Sequence, residues 1–156
     1  MNNANEFDIG MTKNRFCTYL SFNGNVREAI TFYHQCLGGE LNLLEYAPTP
    51  TNVPDAMKHH LSQGTLEAKN LYLFAQDIPP DLPAVTFGDA VSLWLHVSSS
   101  TELESIFVAL SLDGKVIKPI HRVFWRAEVG ILKDKFGIQW YVVCPDPPIV
   151  SEYTHP

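Results

Sequence analysis

Cysteine is scarce in this chain. There are three, Cys17, Cys36 and Cys144, an odd number with no Cys-x-x-Cys pair. That excludes a disulfide-stapled scaffold and predicts reduced thiols in a cytoplasmic protein. Basic charge is short as well: 11 Lys and Arg stand against 17 Asp and Glu, a formal net charge of −6. The basic residues are scattered, and RVFWR (122–126) is the densest local group. A nucleic acid or an anionic membrane would need a basic patch, so neither is expected as a partner. No apolar run approaches the ~18 residues of a membrane span. The opening MNNANEFDIG has no basic n-region and no apolar h-region, so no signal peptide is expected. No G-x-G-x-x-G, P-loop or G-x-S-x-G occurs. Asp134-Lys135-Phe136-Gly137 is interrupted by a lysine where a kinase motif would not be, and reads as a hairpin turn.

What the chain does have is a core and a repeat. Hydrophobic residues make up 46% and aromatics 12% of 156 residues, enough for one domain or two small modules sharing a core. Residues 1–13 read as a loose tail. Phe16–Phe22 reads as a strand. Asn25, three residues before Glu28, predicts a capped helix start, and Val26, Ala29, Ile30, Tyr33, Cys36 and Leu37 form its apolar stripe. Gly38-Gly39 predicts its end. Strands are expected over Leu41–Tyr46, His60–Ala68 and Leu71–Gln76, with Lys69-Asn70 as a tight turn. A proline-rich linker covers 78–89. The figure then returns. Val91–Val97 reads as a strand, Ser99-x-x-Glu102 as a capping box, and Leu103, Ile106, Phe107 and Leu110 as a stripe. Gly114 ends that helix, and strands are expected from Lys115, over Arg126–Lys133 and over Ile138–Val143. Fourteen residues separate Asn25 from Gly39 and fifteen separate Ser99 from Gly114. Each half, 14–77 and 90–144, therefore reads as β-α-β-β-β, with a proline-rich tail over 145–156.

Three motifs carry a family resemblance: F-N-G-N-x-x-E-A-x-x-F-Y-x-x-x-L-G-G-E over Phe22–Glu40, the Phe124-Trp125 pair, and G-I-L-x-D-K-F-G-I-Q-W over Gly130–Trp140. With the duplicated pattern, they resemble the PhnB-like branch of the vicinal oxygen chelate superfamily. That superfamily includes glyoxalase I, extradiol dioxygenases and bleomycin resistance proteins, and the branch is also catalogued as 3-demethylubiquinone 3-methyltransferase-like. The resemblance implies an α+β fold of two βαβββ modules, a curved, cup-like mixed sheet with helices on its convex side, and a homodimer. It implies that Trp125 lies near the cup mouth.

Strand alternation offers candidates for the cup wall. Cys17, Tyr19 and Ser21 share one face of the first strand. Ser92, Trp94 and His96 share a face of the fifth, and Gln139, Tyr141 and Val143 of the last. Rings set among hydrogen-bonding groups suit a small-molecule pocket, although Ser21 and Ser92 would also suit a solvated face. The expected ligand-binding set is Cys17, Tyr19, Ser21, Gln63, Trp94, His96, Trp125, Gln139 and Tyr141. Metal-dependent relatives take one ligand from each of four strands. Matched without gaps, those positions fall on Cys17, Leu73, Ser92 and Tyr141, which cannot build the familiar site. No metal and no cofactor are therefore expected. His34, His59, His60 and His121 read as solvated or locally bonded, with His121 in a turn after Pro119. Glu67 and Glu128 read as surface or cross-strand partners. The expectation is a protein that binds a small, partly aromatic or apolar molecule in a metal-free cup. The alternative is an enzyme of the same fold, using His96 as acid or base or an atypical metal site of His96, Gln139, Gln63 and Cys17. Methyl transfer is disfavoured, because Gly38-Gly39 follows a helix rather than a strand and so forms no cofactor loop.

Overall fold

The computed structural model describes residues 17–45, 61–69, 71–79 and 81–146. The expected N-terminal tail, residues 46–60 with His59-His60, Asn70 of the tight turn, and the chain beyond Asp146 lie outside these residues.

The elements run β1 (Thr18–Phe22), α1 (Val26–Leu37), β2 (Glu40–Glu45), β3 (Leu61–Ala68), β4 (Leu71–Asp77), β5 (Leu93–His96), α2 (Ser100–Leu110), β6 (Lys115–Val123), β7 (Ala127–Lys133) and β8 (Gln139–Pro145). The two β-α-β-β-β modules form as expected, each a four-stranded mixed sheet, in the orders β1-β4-β3-β2 and β5-β8-β7-β6. In both, the first strand pairs in parallel with the fourth while the other pairs are antiparallel. The modules are not independent. Leu20, Phe22, Leu66 and Leu73 of the first sheet join Leu95, Trp140 and Val142 of the second in one core, with both helices in it. Asp134 fastens that core. This carboxylate, 4% exposed, accepts from the Tyr33 hydroxyl of α1 (2.8 Å), Trp140 Nε1 (2.8 Å) and the amides of Phe136 (2.9 Å) and Ile138 (3.0 Å).

The two helix starts are built differently. At α2, Ser99 Oγ accepts from Glu102 N (3.1 Å), and the Glu102 carboxylate accepts from Ser98 N (2.7 Å), which is the expected box displaced by one residue. At α1 the expected box does not form. Asn25 makes no side-chain cap bond. Asp77, at the end of β4 and buried, accepts instead from Gly24 N (2.9 Å) and Val26 N (3.0 Å). Glu28 turns outward to pair with Lys135 at 2.8 Å. A carboxylate held by the sheet can meet those amides without the backbone adjustment a local cap requires. Asp77→Ala is therefore expected to destabilise the fold by about 2 kcal/mol, and Asn25→Ala by less than about 0.5 kcal/mol. Urea denaturation of both variants checks the contrast, and equal losses would refute the long-range cap.

The linker is clasped rather than loose. Asn23 Nδ2 donates to Val85 O, and Val85 N donates to Asn23 Oδ1, each at 2.9 Å. Strand β5 is shorter than expected, because Val91 and Ser92 precede it and Val91 is 77% exposed. His121 lies within β6, not in a turn after Pro119. The Asp134–Gly137 turn is as expected, with Gly137 at φ 91°.

Candidate functional site

The sheet faces turned away from the helices carry the rings. On the first sheet, Leu20 and Phe22 of β1 point to the core, so Tyr19 and Ser21 take the other face. Tyr19 stacks on Phe74 of β4, centroids 5.1 Å apart and planes 21° from parallel, because the register sets the two opposite each other. Phe74 was not among the expected site residues, although the alternation of Leu71–Gln76 would have placed it on this face. Leu73, one of the four positions matched to a metal ligand, lies on the helix side and is fully buried. The gapless match is thus one residue out of step in β4, where Tyr72, Phe74 and Gln76 form the open face.

On the second sheet Trp94 stands opposite Tyr141, and the rings stack at 5.5 Å and 12°. Beneath them Ala127, Val129 and Val143 form a separate apolar cluster, with Val123, Ile131 and Tyr141 packed against it. The β6–β7 turn lifts Phe124 and Trp125 into contact, ring edge to face at 4.9 Å. Arg126 closes the turn at φ 62°. Trp125 is 52% exposed and Phe124 93%, so neither is a core residue.

Among the described residues, the expected site residues line three cavities. A cleft of about 410 Å³ is bounded by Trp94, Tyr141, Phe124 and Trp125 over a floor of Val129 and Ile131. A second of about 300 Å³ lies where the modules meet the linker, and gathers Tyr19, Ser21 and Gln139 beside Phe87. His96 lines a crevice of about 40 Å³ with Lys69 and Glu102. The expected set is thus divided: Trp94, Trp125 and Tyr141 meet in one place and Tyr19, Ser21 and Gln139 in another, while His96 lines the small crevice with its ring 6.0 Å from that of Trp94. Cys17 is exposed just before β1. Gln63 lies on the open side of β3, opposite the side on which Gly64 meets Ile30. Its Nε2 is buried and has no hydrogen-bond partner among the described residues.

Among the described residues no group of three or more His, Cys, Asp or Glu could hold a metal ion. Thiol chemistry has little purchase inside the protein. Burial, and then the Asp134 carboxylate, push the Cys36 thiol up to about 11, so it stays protonated at neutral pH. Cys144 is raised too, chiefly by burial. Burial and Asp134 also raise Tyr33, which keeps its proton and donates it to Asp134. No helix among the described residues is long and apolar enough to cross a membrane.

Paired β-α-β-β-β modules with ringed open faces define a glyoxalase-like protein, and comparison with known proteins agrees. Solved glyoxalase/bleomycin resistance proteins share the fold at 12–14% identity and TM-scores of 0.55–0.59. The sequence model of the 3-demethylubiquinone-9 3-methyltransferase family matches residues 14–143. The chain belongs to that family, the PhnB-like branch of the vicinal oxygen chelate superfamily. It is 34% identical to protein PA1353 of Pseudomonas aeruginosa, with a TM-score of 0.77 over 86% of this chain and 100% of that one. It is 21% identical to a PhnB protein of Bacillus cereus, with a TM-score of 0.64 over 83% and 98% of the two chains. Protein YjdN of Escherichia coli is 27% identical over 134 residues, 80% of this chain and 90% of that protein.

Proposed function

We propose that this protein binds a small, partly aromatic or apolar molecule, without a metal, in the cleft on the open face of its second sheet. The observation that carries this reading is the four-ring boundary of Trp94, Tyr141, Phe124 and Trp125 around about 410 Å³. The size lies in the range of small-molecule sites, roughly 300–1,000 Å³. Rings left exposed around an apolar floor are costly in water unless something covers them, and a flat ligand covers them well. The enzymatic alternative draws less support, since His96, although its ring lies 6.0 Å from that of Trp94, lines a crevice of about 40 Å³ and not the larger cleft.

The methyl transfer in the family's name is not part of this reading. A methyl-donor cofactor would want free amides in the turn after a strand. In the turn after β1 the amides of Gly24 and Val26 are engaged by Asp77. The reading includes a cytoplasmic setting, supported by three free thiols, and a two-fold homodimer, supported by the rings left exposed on both open faces.

Titration with 2-naphthamide, followed by calorimetry, tests the reading. Micromolar binding is expected, weakened about tenfold or more in Trp94→Ala through loss of the stacked face. Binding that is absent, or unchanged in both Trp94→Ala and Trp125→Ala, would remove the reading. A thermal-shift response to nickel, zinc or manganese would count against its metal-free part.

A further inference from the structure

We infer that the cleft selects a planar aromatic anion, with its ring beside the Trp94–Tyr141 stack and its acid group against Lys118 and His121. The inference rests on the proposed binding reading and adds the charge of the ligand.

The argument starts from a bulge. In the pairing of β6 with β7, Lys118 stands opposite Ile131 and His121 opposite Val129. Three steps along β6 therefore match two along β7. In a regular strand, residues three apart face opposite ways. The extra residue at Pro119-Ile120 cancels that alternation. Proline is suited to the spot because it has no amide to offer the ladder. Ile120 turns toward the helix side, where it packs against the core and lies near Gly130. Lys118 and His121 both come to rest beside Ile131 and Val129, the floor of the cleft, and both line it.

The histidine is oriented by the same bulge. Its Nδ1 lies 2.9 Å from the Pro119 carbonyl oxygen, which can only accept, so Nδ1 carries a proton. Nε2 is left free of that bond. Arg122 also lines the cleft, and its guanidinium pairs with Asp146, which Arg126 shares at 3.6 Å. Lys118 makes no ion pair among the described residues. Among the described residues no acidic side chain lines this cleft. In a chain of net charge −6, a ring-lined cleft walled by lysine, histidine and arginine is a local reversal of sign. Its field would attract an anion and repel a cation of the same shape.

The test compares three probes of one ring system on the full chain: 2-naphthoate, neutral 2-naphthamide and the 2-naphthylmethylammonium cation, each titrated calorimetrically. The naphthoate is expected to bind at least about tenfold tighter than the other two, as a charge-assisted contact would give. Raising the salt concentration should narrow that gap. Lys118→Glu, an exposed position, should abolish the preference of naphthoate over naphthamide. Equal binding of naphthoate and naphthamide, tighter binding of the cation, or a preference that survives Lys118→Glu combined with His121→Ala would each overturn the charge selection. Those outcomes leave the binding reading standing. If no probe binds, both fall.

Discussion

Replacing Asp134 by alanine is expected to remove about 3–5 kcal/mol of stability, the largest loss of any single substitution considered for this fold. Four donors converge on that one carboxylate: the Tyr33 hydroxyl, the Trp140 indole and the amides of Phe136 and Ile138. Three of these hydrogen bonds are buried and that of the Phe136 amide is part-buried, so donors left without an acceptor would carry their desolvation cost. The damage is also not local. Tyr33 belongs to the helix of the first module, and Asp134 to the β7–β8 turn of the second. Losing the carboxylate therefore loosens the two halves where Tyr33 meets Trp140 at 5.6 Å and Phe136 at 5.9 Å. Asp134→Asn keeps one acceptor oxygen and should cost less, while Tyr33→Phe, which removes a single donor, should cost about 1 kcal/mol. Urea unfolding followed by tryptophan fluorescence and by circular dichroism checks both size and cooperativity. A loss below about 1 kcal/mol in Asp134→Ala would show that the donors find other partners.

Gly39→Ala is expected to cost about 3 kcal/mol, from two causes that add. The backbone there stands at φ 94°, where an L side chain is strained. An added Cβ would also lie 2.3 Å from the carbonyl oxygen of Glu67 and 2.9 Å from Cα of Ala68. That carbonyl belongs to β3, whose pairing with β2 begins at Glu40 and Glu67, so it cannot retreat without opening the ladder. Gly114→Ala shares only the second cause, since its Cβ would fall 2.5 Å from the Lys133 carbonyl oxygen at the end of β7, and should cost less than Gly39→Ala. Gly88→Ala is the control, with nothing within 4 Å of an added Cβ, and should be near neutral. Thermal unfolding of the three variants tests the pattern. A tolerated Gly39→Ala would mean the strand ends have slack that this packing does not show. The same contact explains why the sequence repeats helix, glycine, strand. In each module the chain leaving the helix passes within touching distance of the third strand's end, and only glycine leaves room.

The binding face was legible to the extent that it obeys a period of two. Tyr19, Trp94 and Tyr141 sit on the open faces because Leu20, Leu95 and Trp140, their neighbours in sequence, are drawn into the core. Phe74 obeys the same rule and could have been found by it. Lys118 and His121 could not. A bulge breaks the period at Pro119, and no alternation count places both residues on one face. The division of the expected set among three cavities was also out of reach, because it depends on how two sheets and a linker sit together.

By itself the sequence determined the two β-α-β-β-β modules, the stripes of both helices, the cap at Ser99 and the glycine pair that ends α1; α2 stops earlier than expected, at Leu110 with Ser111 as its cap, and Gly114 lies beyond it at the entry to β6. These are local matters, set by hydrophobic period and backbone freedom within a dozen residues. Tertiary structure alone decided that Asp77 rather than Asn25 caps α1, that Asp134 ties one module to the other, and that a bulge turns a lysine and a histidine onto the floor of a ring-lined cleft. Each of those joins groups far apart in the chain or breaks a local period, and hydrogen bonding across space, unlike periodicity, leaves no mark on the order of residues.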